Sequence, residues 1–548
     1  METASNAPWG LGTLRLHEAD DPTALVQGAL DRGCRLLDLA DVYGDGTTGQ
    51  SELLAAQALA GWAGPRDHVR VVTKGGLVRR AKGRWDTNGK AKHLTAACEG
   101  SLERLGRIDL YLLHAPDHRT ALSTSVRALK KLLTQGIVGA VGLCNVRVCD
   151  IVAARRIVEV SAVQVAMSPF DREPVDGGVA RYCAEHGIEL LAHSPFGGFR
   201  NAARIGRSEV LAEVAARHGV SGWDVATSWL ASLGALPLVG SRRVETLPTP
   251  PTLSPDDLGA LDATFPAGTL RRPRPPAPPA DAGGEVVLLM GQPGAGKSSA
   301  VAGYLERGYE RLNRDERGGR LDDLLPVLAE RLAEGRRRQV LDNTYASRAA
   351  RQRVVDVAWA HGVPTRCAWL QTPNGEAMRN VAERMLDRHG RLLTPADMSA
   401  SRHPADFAPS AQTGWHRRLE PPTADEGHAV VEDLLFVRRE RTGDRPALAF
   451  DCRLLWGGKP VPGEEASLAA GVAEALVRWA ASHTLVPLAF LAQKDWPPAE
   501  AQALLARTCE LVAEAGVSLP EVLLCDHAGA GPAVCWCRKP MPGLVVQA

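Results

Sequence analysis

The chain has 548 residues, too many for one ordinary hydrophobic core, so its length predicts three or four domains. Its 64 basic and 63 acidic residues leave a formal net charge of +1, which excludes a whole-molecule field that attracts nucleic acid or membranes. No apolar run approaches the roughly 20 residues of a membrane span, and the opening METASNAPWG is not typical of a targeting sequence. We therefore expect a soluble cytoplasmic protein with no membrane partner, whose cysteines are mostly reduced thiols.

Segments with the patterns of strands and helices alternate from Leu14 to about residue 268, as they do in a (β/α)8 barrel. Three strand-like runs carry polar side chains at or just beyond their carboxyl ends, where the active sites of such barrels lie. These side chains are Asp38 and Tyr43 in the first run, Lys74 in the second and His114 in the third. The pattern predicts an α/β protein whose N-terminal part is a TIM barrel.

The order Asp, Tyr, Lys, His, with the wording DLADVYG around Asp38 and Tyr43, resembles the catalytic tetrad of the aldo-keto reductase family. The resemblance implies reduction of a carbonyl substrate, with Tyr43 protonating the carbonyl oxygen. It further implies that Lys74, held by Asp38, lowers the pKa of Tyr43, and that His114 orients the carbonyl. Taken singly, each run has a simpler alternative, a solvated side chain at a strand end.

Later segments of the same region resemble the cofactor site of that family. Asn145, in the turn GLCN, and Gln164, in the strand AVQV, are expected to bind the nicotinamide carboxamide. The loop Ser241-Arg242-Arg243 is expected to hold the phosphate on the adenine side, and its arginines favour NADPH over NADH. The Glu-x-x-Asn that ends this loop in the family is missing here.

The segment AGTLRRPRPPAPPADAGG marks a boundary between domains. A composition rich in Pro, Ala and Gly is typical of a semi-rigid extended spacer. We therefore predict a barrel over residues 1–268, a linker over 269–284, a second domain over 285–442 and a third over 443–548.

The stretch EVVLLMGQPGAGKSS, residues 285–299, combines an apolar strand, a GxxxxGK[ST] phosphate-binding loop and the start of a helix. Glycines let the backbone N–H groups turn toward a polyphosphate, and the helix directs its positive end at the same place. The lysine reaches the β- and γ-phosphates and the serine hydroxyl of Ser298 is a ligand for Mg²⁺. The residues predicted to bind ATP here are Gly291, Gly294, Gly296, Lys297, Ser298 and Ser299.

Two further segments follow this loop, Asn-Arg-Asp at 313–315 and Val-Leu-Asp-Asn-Thr at 340–344. With the phosphate-binding loop they resemble the polynucleotide 5′-kinase family, and the resemblance implies the 5′-OH ends of RNA or DNA as acceptors. It makes Asp315 the general base on the acceptor hydroxyl. Family roles also place Arg314 and Arg348 on the acceptor phosphate, and Arg379 or Arg384 in a lid over ATP. A small-molecule alcohol is the alternative acceptor.

The run PALAFDCR has the pattern of a buried strand ending in Asp451 and resembles the first motif of haloacid-dehalogenase-type phosphatases. In that motif an Asp is the nucleophile and a second Asp exchanges the proton, but Arg453 stands at the second position and cannot do so near neutral pH. The segment RKPMPG, which contains Lys539, is similar to one in histidinol-phosphate phosphatases. The resemblance implies a Rossmann-like domain that keeps Asp451 and Lys539 yet hydrolyses nothing.

Two pairs of soft metal ligands lie close together near the C-terminus. They are Cys525 with His527, and Cys535 with Cys537. Four such side chains complete a closed tetrahedral Zn²⁺ site.

These features together predict a multidomain ATP-dependent 5′-OH polynucleotide kinase for RNA or DNA repair, with an NADPH-dependent reductase barrel and an inactive phosphatase-like domain. The alternative is a small-molecule alcohol kinase whose barrel senses nicotinamide cofactor with little turnover. The β-subunits of voltage-gated potassium channels resemble that use of the barrel.

Overall fold

The computed structural model describes residues 7–80, 84–271, 277–279, 283–401, 403–438, 447–457, 467–491, 497–520, 522–525 and 535–536. The chain forms two compact units, Met1–Pro275 and Pro276–Ala548. The division of the second unit near residue 443 stays a prediction. Within the described ranges, no helix combines the length and the apolar composition that crossing a bilayer requires.

The first unit is built on a closed barrel of parallel strands, in the order β1-β10-β9-β8-β7-β6-β3-β2. The barrel closes because β1 pairs with both β2 and β10. An antiparallel hairpin, β4 with β5, follows β3. The strands are β1 (Gly10–Gly12), β2 (Leu36–Asp38), β3 (Arg70–Gly75), β4 (Leu77–Arg79), β5 (Trp85–Thr87), β6 (Leu110–Leu113), β7 (Val141–Cys144), β8 (Ala162–Ala166), β9 (Glu189–His193) and β10 (Ala235–Val239).

Helices alternate with these strands, and their apolar faces pack on the barrel in clusters such as the one around Leu129, Ile151 and Trp229. Two of the helix starts carry capping boxes, Ser221 with Asp224 and Ser254 with Asp257, which satisfy N–H groups that have no partner inside the helix. The helices are α1 (Pro22–Asp31), α2 (Gln50–Gly61), α3 (Ala91–Leu105), α4 (Leu122–Thr134), α5 (Val148–Arg155), α6 (Glu173–Asp176), α7 (Val179–Glu185), α8 (Gly198–Asn201), α9 (Glu209–His218), α10 (Gly222–Ser232) and α11 (Pro255–Thr264).

The second unit begins with a parallel five-stranded sheet in the order β12-β13-β11-β14-β15. Its central strand β11 is fully buried, as the apolar run VVLLM predicts. The strands are β11 (Val286–Met290), β12 (Glu310–Arg311), β13 (Gln339–Asn343), β14 (Thr365–Leu370) and β15 (Val430–Leu434). The helices are α12 (Lys297–Glu306), α13 (Arg314–Arg317), α14 (Leu324–Ala333), α15 (Arg348–Ala360), α16 (Asn374–His389), α17 (Pro395–Ala400) and α18 (Ser410–Arg418).

A second parallel sheet of the same unit has the strand order β16-β17-β18. Its elements are β16 (Ala447–Asp451), α19 (Val472–Ala480), β17 (Thr484–Phe490), α20 (Pro498–Glu514) and β18 (Leu523–Cys525). The predicted fold class is confirmed, because a parallel eight-stranded barrel is followed by further α/β structure. The assignment of this last sheet to the haloacid-dehalogenase type stays a prediction.

Candidate active sites of the two units

The four predicted tetrad side chains meet at the carboxyl ends of the barrel strands. Lys74 Nζ lies 2.7 Å from the Asp38 carboxylate and donates to the Tyr43 hydroxyl at 3.2 Å, and all three side chains are buried. The His114 ring stands edge-on to the Tyr43 ring, with centroids 5.6 Å apart. The buried Nδ1 of His114 has no partner among the described residues. The barrel therefore brings together the groups that sequence reasoning chose from three separate strands.

Burial controls the protonation of this cluster. It raises the pKa of Tyr43 to about 12, although Lys74 acts in the opposite direction as expected. Burial alone would lower the pKa of Lys74, but the Asp38 carboxylate outweighs it and the pKa is raised. Burial, with a smaller contribution from the positive charge of Lys74, holds the pKa of His114 well below its usual range. The cluster is thus a phenol, an ammonium and a neutral imidazole, which suits donation to a carbonyl oxygen.

The two predicted nicotinamide-binding amides lie beside this cluster. Gln164 Nε2 donates to Asp38 at 2.7 Å, and Asn145 Nδ2 donates to the His114 carbonyl at 3.0 Å. The Asn145 backbone has φ 57°, a left-handed conformation that Asn tolerates better than most residues. His193 Nε2 contacts Asn145 Oδ1 at 3.1 Å. His193 was not singled out from the sequence, although it ends β9 as Asp38 ends β2.

The predicted phosphate loop follows β10. The Ser241 hydroxyl contacts Thr246 at 2.6 Å, and Arg242 lies 3.9 Å from Glu18 with a largely exposed guanidinium. No ion pair of Arg243 occurs within the described residues. Exposed guanidinium groups fit the phosphate of a dinucleotide. The roles of Ser241, Arg242 and Arg243 in binding NADPH stay a prediction.

One feature that the sequence did not indicate is the hairpin of β4 and β5, which carries Trp85 over the tetrad. The Trp85 ring stacks near Tyr43 with centroids 6.0 Å apart and remains 41% exposed. Arg79 donates to the Gly44 carbonyl, and Asp86 pairs with Arg119 beyond β6. The hairpin is therefore attached on both sides of the site, where it adds an aromatic wall.

In the second unit the phosphate-binding loop connects β11 to α12. Lys297 Nζ donates to the carbonyls of Gly291 at 2.8 Å and Gln292 at 3.0 Å, across the mouth of the loop. Burial lowers the pKa of Lys297 to about 8, while Asp342 opposes that shift. Gly294 has φ 83°, and a Cβ on it would meet the carbonyl oxygen of Ala377 at 2.3 Å, so glycine is required there. The loop fits a polyphosphate, which would take the place of the carbonyls as the partner of Lys297.

A cavity of about 1560 Å³ opens in front of this loop. Asp315 and Arg314 reach it from α13, where Arg314 Nη2 pairs with Asp315 at 2.6 Å. The buried carboxylate of Asp342 also lies on it, fixed by Arg311 at 2.5 Å. The residues of the predicted site that line this cavity are Gly294, Gly296, Lys297, Ser298, Ser299, Arg314, Asp315, Arg379 and Arg384.

Helix α16 lines the same cavity as α13. Arg379 pairs with Glu383 at 2.8 Å, whereas no ion pair or hydrogen bond of Arg384 occurs within the described residues. Asn380 Nδ2 donates to the Gly294 carbonyl at 2.8 Å and so ties the helix to the phosphate-binding loop. A guanidinium without an ion pair on the wall of this cavity can bind an anion. The role of Arg379 or Arg384 over ATP stays a prediction.

Two family models match parts of the chain. Residues 9–249 match the aldo/keto reductase family, and residues 286–401 match an AAA domain. The chain carries an aldo/keto reductase domain and a P-loop kinase-like AAA domain. It is therefore a multidomain enzyme, and the two domains imply NADP(H) and ATP with Mg²⁺ as cofactors.

Several solved structures are similar in fold. The glycerol dehydrogenase from Gluconobacter oxydans is 22% identical, with a TM-score of 0.42 over 50% of this chain and 95% of that one. An aldo-keto reductase from a Medee basin deep-sea metagenome is 24% identical, with a TM-score of 0.40 over 47% and 91%. Aldose reductase from Giardia lamblia is 22% identical, with a TM-score of 0.39 over 47% and 91%.

Two residues predicted for the kinase-like domain lie away from its cavity. Gly291 contributes a carbonyl to Lys297 but does not line the cavity. Arg348 begins α15, where its guanidinium pairs with Asp425 at 2.8 Å. Its role as an acceptor ligand stays a prediction, and it requires that this pair open.

The predicted phosphatase nucleophile, Asp451, ends β16 as expected. Its carboxylate is occupied by Arg453, whose Nε lies 3.0 Å from both oxygens and whose Nη2 lies 2.6 Å from Oδ2. The carboxylate of Asp451 is thus in bidentate contact with a permanent cation. Its role as a vestigial nucleophile stays a prediction. The predicted phosphate ligand Lys539 lies outside the described residues.

Two of the four predicted zinc ligands are described. The Sγ atoms of Cys525 and Cys535 are 3.9 Å apart, too far for a disulfide, and both side chains are buried. His527 and Cys537 lie outside the described residues. Among the described residues no group of three or more His, Cys, Asp or Glu side chains is placed to hold a metal. The zinc site stays a prediction.

Proposed function

We propose that the chain is an ATP-dependent kinase of polynucleotide 5′-OH ends joined to an NADPH-dependent carbonyl reductase. The observation that carries the kinase proposal is the single cavity onto which Lys297, Asp315 and Arg384 converge. A phosphate-binding lysine, a carboxylate for the acceptor hydroxyl and a cation for developing charge are the parts that phosphoryl transfer requires.

Each of these residues has a defined task. Lys297 binds the transferred phosphate, and the Ser298 hydroxyl provides a ligand for Mg²⁺. Asp315 is an exposed carboxylate, so it can accept the proton of the acceptor hydroxyl once that hydroxyl displaces Arg314 from it. Arg384 neutralises charge that develops on the transferred group.

The size and lining of the cavity support a nucleic-acid acceptor. Ligand pockets commonly enclose roughly 300–1,000 Å³, whereas this cavity encloses about 1560 Å³. Beyond the phosphate-binding loop it is lined by the cations Arg314 and Arg418 and by the half-buried ring of Phe407. Cations for backbone phosphates beside aromatic rings for bases are the usual surface for single-stranded nucleic acid.

The reductase proposal rests on the tetrad. The cofactor supplies a hydride to the carbonyl carbon when bound. Tyr43 donates its phenolic proton to the carbonyl oxygen, and Lys74 stabilises the resulting phenolate at 3.2 Å. The neutral His114 orients the carbonyl, while Asp38 keeps Lys74 in place.

The region after residue 443 is proposed to be an inactive phosphatase-like module that holds zinc. The Arg453 guanidinium on Asp451 supports the loss of hydrolysis. The pair of sulfur atoms of Cys525 and Cys535 supports a soft metal site. Elemental analysis is expected to find about one zinc per chain, and its absence would contradict this part of the proposal.

The kinase test is transfer of labelled γ-phosphate from ATP to a panel of 5′-OH RNA, 5′-OH DNA, nucleosides and sugars. Lys297→Ala is expected to lower the rate by about 10²-fold or more. Asp315→Ala is expected to keep ATP binding and lose transfer. Glu334→Ala, a carboxylate of similar exposure outside the cavity, is the matched control. Full transfer by Asp315→Ala would refute the general-base role, and transfer to sugars alone would favour the small-molecule kinase.

A further inference from the structure

Helix α16 presents two different faces. The side chains that line the cavity are mostly polar: Arg379, Asn380, Glu383, Arg384 and Asp387, with Leu386 at the edge of this face. The opposite face carries Met378, Val381 and Met385, which belong to a buried apolar cluster. The spacing i, i+3, i+7 is that of a helix with one apolar stripe. The position of this stripe therefore decides where the polar face stands in the cavity.

The apolar cluster is completed from the far end of the chain by Trp536. This tryptophan is fully buried and packs in the cluster that contains Val381, Met385, Leu393 and Met398. Its Nε1 donates to the Phe407 carbonyl at 2.8 Å, and the two rings meet edge-on with centroids 5.9 Å apart. Phe407 itself lines the cavity.

Trp536 is held in turn by the three-stranded sheet. Its neighbour Cys535 is buried against Val486 and Leu488 of β17 and Cys525 of β18. Leu392, just beyond α16, packs against both this cluster and the one around Trp536. The predicted phosphatase-like module thus meets the kinase-like domain on the apolar side of α16.

The other side of α16 packs on the phosphate-binding loop. Asn380 donates to the Gly294 carbonyl, and Ala377 approaches Gly294 too closely for any side chain there. A shift of the helix would therefore displace both Arg384 and the loop that binds ATP.

We propose that Trp536 is a positioning residue of the kinase, which holds α16 and the Phe407 segment in the arrangement that places Arg384 over the phosphate-binding loop. The phosphatase-like module then has a use that does not depend on hydrolysis. This inference rests on the proposed kinase activity for its kinetic readout, but not for its structural one.

Trp536→Ala in the full chain is expected to raise the KM for ATP and to lower kcat, with kcat/KM falling about 10-fold to 100-fold, because small displacements of catalytic groups carry such costs. A mere loss of folded enzyme would lower apparent kcat and leave KM unchanged. Trp536→Phe keeps an aromatic ring in the cluster but loses the hydrogen bond and part of the buried volume, so it is expected to recover part of the activity. Trp479→Ala, an exposed tryptophan of α19, is the control and is expected to behave as wild type.

Amide hydrogen exchange over residues 374–389 provides the readout that needs no acceptor. Trp536→Ala is expected to accelerate exchange there, and Trp479→Ala is not. If the wild-type chain phosphorylates no acceptor, the proposed kinase function fails while the exchange result still decides the role of Trp536. Unchanged KM for ATP and unchanged exchange in Trp536→Ala would overturn the inference. If Trp536→Ala does not fold, the same two measurements are made on Trp536→Leu, which fills part of the cluster but removes the aromatic ring and the hydrogen bond. Unchanged KM for ATP and unchanged exchange in that variant would overturn the inference.

Discussion

The protonation states at the barrel mouth follow from burial more than from any single partner. With its pKa near 12, Tyr43 keeps its proton throughout the neutral range and is always a donor. Burial also lowers the pKa of His193 to about 4, so this histidine, like His114, is neutral at pH 7. Asp41 behaves oppositely, since burial and Glu52 raise its pKa to about 7.

We expect His193 to make the reductase domain less stable in mild acid. Its folded pKa of about 4 lies below the unfolded value of about 6.5, so the unfolded chain binds more protons between these values. The stability due to neutral His193 is complete above pH 6.5 and is lost as pH falls toward 4. Hydrogen exchange of β9, compared between wild type and His193→Gln at pH 7, 5.5 and 4.5, measures this contribution. The raised pKa of Asp41 stabilises the domain as pH falls, but it does so equally in wild type and in His193→Gln. A constant difference across the three pH values would contradict the prediction.

At the scale of elements, α15 carries two ion pairs that differ greatly in burial. Arg351 is fully buried and forms two 2.7 Å contacts with the buried Glu426. Burial alone would raise the pKa of Glu426, but Arg351 lowers it to about 2. Two residues further, Arg353 pairs with the half-exposed Asp322 at 2.6 Å. The first pair joins α15 to the segment before β15, and the second lies at the surface.

Removing each acidic partner is expected to have unequal effects. Glu426→Ala leaves a buried guanidinium unpaired and should lower the free energy of unfolding by about 3–5 kcal/mol. Asp322→Ala should lower it by about 0–1 kcal/mol, because solvent replaces the lost contact. Hydrogen exchange of the central strands β11 and β13 reports this free energy, since they exchange only on unfolding. Equal losses of the free energy of unfolding in Glu426→Ala and Asp322→Ala would show that burial does not determine how strongly an ion pair stabilises this domain.

At the scale of the whole molecule, each unit builds its core from its own residues. The clusters of the barrel draw on side chains between Trp9 and Leu270, and those of the kinase-like sheet on side chains between Val286 and Leu434. Each candidate site is likewise complete within its own unit. Domains with separate cores and sites are expected to work independently.

The two activities should therefore be separable in the intact chain. Tyr43→Phe is expected to abolish carbonyl reduction while keeping NADPH binding and phosphate transfer. Lys297→Ala is expected to lower transfer by about 10²-fold or more and leave reduction intact. Assays of both reactions on both variants, with NADPH binding followed by fluorescence, check this. Loss of transfer in Tyr43→Phe would indicate coupling between the sites, and NADPH binding without reduction of any aldehyde by wild type would favour the sensing barrel.

The sequence alone was sufficient to predict two kinds of site in this protein. In one kind the residues are close together along the chain, and in the other they lie at the ends of successive strands. The phosphate-binding loop is set by glycines and a lysine within eight positions, and covalent spacing fixes their arrangement. The tetrad could be predicted because parallel strands deliver their carboxyl ends to one face of a barrel.

Only the tertiary structure decided which distant side chains complete these sites. His193 lies 48 residues from Asn145, Glu426 lies 75 from Arg351, and Trp536 lies 129 from Phe407. No local pattern pairs these residues with one another, because their partners are determined by packing and not by spacing along the chain. Burial is also a result of packing, so the direction in which the pKa of Tyr43 shifts could not be predicted from the sequence. The neighbouring Lys74 favours the phenolate and lowers this pKa, but desolvation disfavours the phenolate more and the pKa is raised.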